Sequence, residues 1–291
     1  MTDPFSLHDG RVNIRKITEE IRRHRQALNE MTITLEKLMA QNAKLSDENS
    51  RLQVTIAQIQ NMLDRQNKKL EINYFDFQMK YRGARDEIKK RQSIYLDYFA
   101  GKTNVLDLGC GRGEFIELLI DNNVSATGVD LDQEMVTFCK EQGLPVVLAD
   151  IFEYLEGVPD QSVGGVFLGQ VIEHLSAARF VELVKLCHRK LTPGAYFIAE
   201  TPNPECVLIF AHSFYIDLTH VKPIHSLAAQ FVLESNDFKD VKVVYSSPLP
   251  DEYHLPKDIE SSGLNSKTVA VLEKWNRVLF GCQDYAIIGR K

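Results

Sequence analysis

The hydrophobic positions of the first seventy residues follow the heptad spacing of a coiled coil. Counting from Ile14 in alternating steps of three and four, apolar side chains recur as far as Leu70, and neither proline nor glycine interrupts the pattern after Gly10. Such a spacing, kept over many heptads, predicts a long helix that buries one stripe against a partner helix. At 1.5 Å per residue this helix would be about 85 Å long. We therefore expect residues 1–75 to form a coiled-coil oligomerisation stalk.

The residues along this stripe leave the number of helices in the coil open. Asn42 and Asn49 occupy successive a positions, where a buried amide tends to fix the register and the oligomeric state. Ile56 and Ile59 instead pair isoleucine at a and d, which favours trimers or tetramers. We expect a parallel homo-oligomer, dimer or trimer. The alternative is a helix that packs on its own globular domain.

Past Tyr81 the pattern changes to short apolar runs that alternate with helical segments. The predicted strands are Val105–Leu108, Ala126–Val129, Val146–Leu148, Val163–Leu168 and Tyr196–Ala199. Helical stretches such as Phe115–Asp121 and Phe180–Lys190 lie between or after them. This alternation predicts a mostly parallel sheet with helices on both faces, whose ligands bind beyond the carboxyl ends of the strands. Residues 76–291 are then one α/β domain.

Composition narrows the functional classes. The 291 residues carry a formal net charge of −6 at pH 7, with 44% hydrophobic and 25% charged residues. The negative balance argues against a nucleic-acid partner. The five cysteines include no C-x-x-C pair, which fits a reducing compartment. Since no run approaches the roughly 18 apolar residues of a membrane span, we expect a cytoplasmic protein.

The segment with the most specific chemistry is a glycine-rich turn between a predicted strand and a predicted helix. The run VLDLGCGRGEF contains three glycines, Gly109, Gly111 and Gly113. A dinucleotide-binding turn needs its third glycine where Glu114 stands. Asp107 and Glu114 would also repel a pyrophosphate at this helix end. S-adenosylmethionine (SAM) has no phosphate and carries an ammonium group, so this turn predicts SAM as the cofactor.

Acidic residues also follow the next two strands. Asp130 stands at the tip of the second strand, where it would accept hydrogen bonds from both ribose hydroxyls, and Leu131 follows it in the expected cofactor site. Asp150 follows the third strand and would accept a hydrogen bond from the adenine amino group, while Ile151 would cover the ring. An N-cap of the following helix is the alternative role for Asp150.

Together, VLDLGCGRGEF, GVDLD and ADI resemble the class I SAM-dependent methyltransferases. The resemblance covers about residues 80–291. It implies a seven-stranded, doubly wound, Rossmann-like sheet whose last strand is antiparallel, here Asp284–Gly289. The expected fold is therefore α/β, a class I methyltransferase domain preceded by a long N-terminal coiled-coil helix.

Two segments carry candidate catalytic residues. Gly169-Gln-Val-Ile-Glu-His follows the fourth strand, so Gln170 would border the cofactor while Glu173 and His174 would provide a base for a hydroxyl acceptor. Asp217 and His220, which follow the fifth strand, are the second candidates for orienter and base. For each of these residues a purely structural role is the alternative.

The small-RNA 3′-terminal 2′-O-methyltransferases resemble this region, with a Glu-x-x-Glu-His segment and a distant histidine that hold a divalent metal. In this chain Gln170 stands at the first position, and a neutral amide replaces a charged oxygen ligand. We therefore expect no metal here. Metal dependence through Gln170, Glu173, His174 and His220 is the alternative.

A closer resemblance is to the bacterial methyltransferases that cap or terminate O-antigen and related surface polysaccharides. It rests on the segments YRGARDEI, ETPNPE, SFYIDLTHVKP and DYAIIGRK. It implies methylation of a terminal sugar hydroxyl, or of a phosphate if a separate kinase acts. Tyr81 and Arg82 would close over the cofactor, with Arg82 facing its carboxylate.

The same resemblance implies a coiled coil that docks a glycosyltransferase or polymerase and keeps the enzyme peripheral to the inner membrane. Two alternatives stay open. One is a small-molecule O- or N-methyltransferase that acts on a quinone or lipid precursor. The other is a SAM-binding scaffold that has lost catalysis.

Overall fold

The structure is a computed structural model that describes residues 14–66, 72–255 and 265–291; in the first range the side chains of residue 57 and residues 59–66 are left out. Two compact units make up the chain, Met1–Glu71 and Ile72–Lys291.

The first unit contains one helix, α1 (Ile14–Gln66), 53 residues long. The predicted long helix is confirmed. Most of the described side chains of its heptad stripe are exposed in the single chain, with Leu28 at 61% and Leu52 at 60%. Pairing with a further helix stays a prediction. The final predicted heptad residue, Leu70, lies outside the described residues.

The second unit is built on a seven-stranded sheet with the order β3-β2-β1-β4-β5-β7-β6. The strands are β1 (Val105–Leu108), β2 (Ala126–Asp130), β3 (Val146–Leu148), β4 (Val163–Gly169), β5 (Leu191–Pro202), β6 (Lys239–Ser246) and β7 (Asp284–Arg290). β7 runs antiparallel to both β5 and β6, and the other pairs are parallel. This confirms the predicted seven-stranded, Rossmann-like α/β fold with an antiparallel last strand.

Helices cover both faces of this sheet. They are α2 (Tyr74–Tyr81), α3 (Arg85–Gln92), α4 (Glu114–Asp121), α5 (Gln133–Glu141), α6 (Ile151–Gly157), α7 (Ala177–Lys190), α8 (Leu208–His212), α9 (Ser226–Glu234) and α10 (Ser266–Leu279). Successive strand residues point to opposite faces. Accordingly, Val105 belongs to the core under α4 and α5, and Leu106 belongs to the core under α6, α7 and α9.

The order of the strands determines where on the sheet a ligand would bind. From β1 the chain winds outward through β2 to β3, then crosses back to β4 on the other side of β1. The carboxyl ends of β1 and β4 therefore border a crevice at the switch point, where ligands of such sheets bind. The glycine-rich turn follows β1, and the segment with Glu173 follows β4.

Among the described residues, none of the helices combines the length and the apolar character that crossing a membrane requires.

Candidate functional site

The turn after β1 depends on its three glycines. Gly109, Gly111 and Gly113 have φ angles of 75°, 52° and 76°, a region that side-chain-bearing residues rarely adopt. A Cβ at Gly109 would lie 2.6 Å from Val171 Cγ2, and one at Gly113 would lie 2.6 Å from Leu144 Cδ1. The predicted glycine turn is thus a tightly packed loop, and its backbone conformation favours glycine at these three positions.

Buried carboxyl groups surround this loop. The side chains of Asp107 and Glu114 are 3% and 1% exposed. Burial raises the pKa of Asp107 to about 8, although the nearby Arg82 charge acts in the opposite direction. Arg112 pairs with Glu114 Oε1 at 2.7 Å, while Glu114 Oε2 has no hydrogen-bond partner among the described residues. The loop therefore holds two buried carboxyl groups, one of them with an unpartnered oxygen among the described residues, and a bound ammonium group such as that of SAM would favour their charged form.

Asp130 supports the loop from the tip of β2. Its Oδ2 accepts a hydrogen bond from the Gly111 N–H at 2.8 Å, and its Oδ1 accepts one from the Asp132 N–H at 2.9 Å. Burial raises the pKa of Asp130, and these two hydrogen bonds oppose the rise. Each carboxylate oxygen keeps a second lone pair, so the expected ribose contact fits this geometry.

At the tip of β3, Asp150 has the N-cap role, and its adenine contact stays a prediction. Its Oδ1 accepts hydrogen bonds from the Phe152 and Glu153 N–H groups at 2.8 and 3.2 Å, so it is the N-cap of α6. The cap does not use Oδ2, which fits the expected adenine contact. Ile151 is half-buried against the core, whereas Leu131 is 65% exposed.

Replacing Asp150 by Asn separates these two roles. The amide oxygen preserves the cap, whereas the amide nitrogen presents a donor to the adenine amino group, itself a donor. We expect an unchanged melting temperature and SAM affinity reduced by roughly 2- to 13-fold, the value of one net hydrogen bond. Calorimetric titration and thermal melting measure the two effects. An unchanged SAM affinity would mean that Asp150 caps α6 and does not contact the adenine.

The raised pKa of Asp107 predicts that SAM binding releases a proton. At pH 7 its carboxyl group is largely protonated in the free protein, because its pKa is about 8; a bound ammonium favours the charged form. Affinity should therefore rise as the pH rises from about 6 to 7.5, a range in which an α-ammonium stays mostly protonated. Titration calorimetry in two buffers of different ionisation enthalpy measures this release, which Asp107→Asn should abolish; equal release from both proteins would contradict it.

Beyond the glycine loop the crevice opens into a cavity of about 280 Å³. It is lined by aromatic side chains and by polar or charged ones, among them Tyr74, Phe77, Tyr81, Phe214, Gln78, Arg91, Gln170, His174, Asp217, His220 and Asp284. Arg82 and Gln92 line both this cavity and the crevice beside Asp107 and Gly109. The two spaces are therefore adjacent and Arg82 borders both, while its closure over the cofactor stays a prediction.

Hydrogen bonds fix the ring of His174. Although burial acts in the opposite direction, hydrogen bonds from Thr219 hold the pKa of Asp217 below its usual value. The ionised Asp217 only accepts, so the Thr219 hydroxyl donates to its Oδ1 at 2.6 Å. The Thr219 oxygen must then accept from His174 Nδ1, 2.8 Å away. The proton of the neutral His174 ring is thus on Nδ1, and burial lowers the pKa of His174 to about 4.

The ring of His220 is fixed in the same way. Its Nδ1 lies 2.6 Å from the Phe214 carbonyl oxygen, which only accepts, so Nδ1 carries the proton. His220 Nε2 lies 3.9 Å from Asp217 Oδ2, too far for a hydrogen bond. The structure thus differs from the expectation that Asp217 orients His220, because Asp217 orients His174 through Thr219 and the Phe214 carbonyl orients His220.

Glu173 lies at the base of this cluster and is completely buried. Its Oε2 accepts a hydrogen bond from Thr201 at 2.9 Å. Its Oε1 has no hydrogen-bond partner among the described residues and lies 4.0 Å from His220 Nε2. Burial raises the pKa of Glu173 to about 8. The cluster therefore brings together Glu173, His174 and His220 from two separate segments, with acceptor atoms free for a ligand.

A second acidic group borders the cavity. The Tyr95 hydroxyl donates to Glu200 at 2.5 Å, and Gln170, with a φ of 62°, donates to Asp284 at 3.1 Å. Burial and the Asp284 charge raise the pKa of Glu200 to about 7. Gln170 was predicted to border the cofactor. The rest of this group was not predicted, since nothing in the sequence marks Tyr95 or Asp284 as neighbours of the site.

Other residues of the site were also missed. Tyr74 donates to Asp217 Oδ2 at 2.8 Å, Thr201 and Thr219 bind Glu173 and His174, and Gln92 is buried with a free Oε1 among the described residues. The one available signal was the position of Thr219 inside the SFYIDLTHVKP segment already associated with the acceptor.

Comparison with known proteins identifies the family. A solved SAM-dependent methyltransferase from Archaeoglobus fulgidus is 41% identical, with a TM-score of 0.70, and the match covers 76% of this chain and 100% of that one. This chain belongs to the SAM-dependent methyltransferases. Residues 106–199 also match the family model of a methyltransferase domain. The protein is thus a methyltransferase enzyme whose cofactor is SAM, as the glycine loop and its acids predicted.

Two curated relatives are more distant. A protein of Mycolicibacterium smegmatis, described as a probable SAM-dependent methyltransferase, is 36% identical over 34% of this chain and 38% of its own length. A ubiquinone biosynthesis O-methyltransferase of Pseudomonas paraeruginosa is 27% identical over 55% of this chain and 75% of its own length. This chain thus spans little more than a third of the first of these relatives.

Proposed function

We propose that this methyltransferase transfers the methyl group of SAM to a hydroxyl group on the terminal sugar of a bacterial surface polysaccharide such as O-antigen. The observation that supports methyl transfer to an oxygen atom is the cluster of Glu173, His174 and His220 beside the cofactor loop. Both imidazoles keep an unprotonated Nε2 because Nδ1 carries the proton, and Glu173 Oε1 is unpaired among the described residues. An alcohol has to lose its proton during methylation, and this cluster offers acceptors for it.

The character of the cavity supports a sugar as the acceptor. The rings of Tyr74, Phe77, Tyr81 and Phe214 lie among polar groups such as Gln78. Sugar rings have apolar faces that pack on aromatic rings and hydroxyl edges that need hydrogen-bond partners, so a mixed lining suits them. A volume of about 280 Å³ suits one terminal residue of a longer glycan better than an entire chain.

Each part of the site has a task in this reaction. SAM supplies an electrophilic methyl group when it is bound. The glycine loop and Asp130 hold the nucleoside end, and Arg82 closes the passage between the cofactor crevice and the cavity. The cluster orients the acceptor hydroxyl and takes its proton, while the aromatic walls exclude water from the reacting atoms.

Incubation of the full chain with methyl-labelled SAM and a panel of acceptors tests this function. The panel contains oligosaccharides with a free terminal sugar, the same oligosaccharides with a terminal phosphate, and a demethylated quinol precursor. We expect label on the terminal sugar hydroxyl, or on the phosphate if a separate kinase prepares the acceptor. Transfer to the quinol alone would instead favour a function like that named for the Pseudomonas relative.

The exposed stripe of α1 supports a second proposal, a parallel homo-oligomer that also docks a glycosyltransferase or polymerase. An apolar stripe that stays exposed in one chain needs a partner helix. Removing residues 1–71 should give a monomer that still binds SAM, because the second unit holds the glycine loop and the whole cavity. Light scattering measures the size. A truncated protein that remains oligomeric would show an interface in the second unit.

A further inference from the structure

One atom from each of Glu173, His174 and His220 lies within 4.8 Å of the others. Glu173 and His174 belong to a short 3-10 turn after β4, Ile172–His174. His220 comes from the loop after α8, and a backbone hydrogen bond from the Val221 N–H to the Glu173 carbonyl oxygen, at 2.9 Å, ties that loop to the turn. The three side chains are therefore held together by the backbone as well as by their own contacts.

The free atoms of the three side chains are all electron-pair donors. The Nδ1–H of His174 is taken by Thr219 and that of His220 by the Phe214 carbonyl, which leaves Nε2 of each ring without a proton. Glu173 Oε2 is taken by Thr201, so Oε1 is the atom left over. Glu173 Oε1 lies 4.0 Å from His220 Nε2, too far for a hydrogen bond to join these two atoms.

Such an arrangement is costly unless something positive occupies it. A buried carboxylate oxygen without a partner loses its hydration and gains nothing in return. The Nε2 atoms of the two imidazole rings cannot donate a hydrogen bond to this oxygen, because each presents a lone pair to it. A bound cation would satisfy all three atoms at once.

We propose that Glu173, His174 and His220 bind one divalent transition-metal cation of the zinc, manganese or iron type. Mixed imidazole and carboxylate ligands suit these ions, whereas magnesium prefers oxygen ligands throughout. The hydrogen bonds behind the ligands match a metal site as well, because metal-binding histidines donate their other N–H to a carbonyl or carboxylate. Here the Phe214 carbonyl oxygen accepts the hydrogen bond from His220 Nδ1. His174 Nδ1 donates to the Thr219 hydroxyl, which in turn donates to Asp217.

The expectation of no metal depended on Gln170 as a fourth ligand. Gln170 instead donates to Asp284, and the three-residue cluster does not need it. Three protein ligands leave coordination positions for another molecule. His174 and His220 both line the cavity, so those positions are accessible to an acceptor.

The catalytic consequence of this cation, unlike its binding, depends on the proposed function. With the cation bound, the cluster would act on the proton through the metal instead of accepting it directly, because a coordinated hydroxyl group would have a lowered pKa and would lose its proton to solvent more readily. The acceptor oxygen then forms the new bond to the methyl carbon while the bond between that carbon and sulfur breaks, and its electron pair stays on sulfur. Asp217, held by Thr219 and Tyr74, orients His174 through Thr219.

Metal titration of the full chain tests the proposal without any acceptor. After chelator treatment and desalting, calorimetry with Zn²⁺ and electron paramagnetic resonance with Mn²⁺ should show one ion per chain. Glu173→Gln and His220→Asn should each weaken binding by at least about tenfold. The matched control is His225→Asn, since His225 and Glu205 lie 3.9 Å apart as a comparable but half-exposed pair; its metal binding should be unchanged.

The results separate the cation from the proposed function. A full chain that binds neither ion, or cluster variants that both bind the ion as tightly as the wild type, would overturn the metal site while leaving the methyltransferase assignment intact. Circular dichroism checks that each variant is folded. If one of the two cluster variants fails to fold, the other still tests the proposal. Binding of one ion that depends on the cluster, without transfer to any acceptor in the panel, would support the metal site and count against the proposed acceptor.

Discussion

Glu173→Gln should lower kcat for methyl transfer by roughly 10²- to 10⁴-fold, the usual contribution of a group that helps remove a proton. The substitution keeps the shape of the side chain and its contact with Thr201. It removes the ionisable carboxyl group whose Oε1 lies unpartnered, among the described residues, beside His220. SAM affinity should stay within about twofold, because Glu173 lies on the acceptor side of Arg82 and outside the glycine loop. Steady-state rates and calorimetric titration measure the two effects.

The control for this variant is Glu205→Gln. Glu205 accepts hydrogen bonds from Ser226 at 2.6 Å and Tyr245 at 3.0 Å, and it does not line the cavity. Its substitution should change kcat by less than about twofold. If Glu173→Gln retained more than about a third of the wild-type kcat, proton removal and acceptor positioning would have to be assigned to other residues.

Asp130→Ala should weaken SAM binding by about 1–3 kcal/mol, or roughly 5- to 150-fold, through the loss of charge-assisted hydrogen bonds. The structure adds a second reason for this loss. Asp130 Oδ2 accepts the Gly111 N–H, so its removal also leaves the glycine loop without a support. The loss should appear in the dissociation constant measured by calorimetry, with a melting temperature that falls only modestly.

Asp121→Ala is the control for Asp130→Ala, because Asp121 has a 59% exposed side chain paired only loosely with Lys89 at 3.5 Å. SAM affinity should not change in that variant. An unchanged affinity in Asp130→Ala would mean that the nucleoside does not bind at the tip of β2.

The sheet could be predicted because its central strands are buried on both faces and therefore appear as continuous apolar runs. The run Val105–Leu108 is buried at every position. β6 was missed for the opposite reason. Its sequence KDVKVVYS mixes lysine, aspartate and valine, and charged residues are common on the edge strand of a sheet. The long helix α1 could be predicted because its pattern is local, and the described helix covers Ile14–Gln66 of the predicted stalk.

The candidate cofactor residues could be placed at one edge of the sheet from the sequence because each is close to a strand tip. Predicting the positions of Asp107, Asp130 and Asp150 requires only the correct strand ends, because parallel strands bring their carboxyl ends to one edge of the sheet. The acceptor site depends on contacts between distant residues instead. Tyr74 and Asp217 are 143 residues apart in the chain, and Thr219 is 45 residues from His174. No spacing rule connects such pairs, so the partner of each histidine could not be predicted.

A crystal structure of the full chain with S-adenosylhomocysteine tests the central claim most directly. We expect the ribose at Asp130, the amino group beside Asp107 and Glu114, and the sulfur at the opening into the cavity. The sulfur should lie within about 8 Å of the Glu173, His174 and His220 cluster, room for one methyl group and one acceptor oxygen. A sulfur that faces away from the cavity, or a ligand bound outside the glycine loop, would contradict the claim that this cluster receives the acceptor.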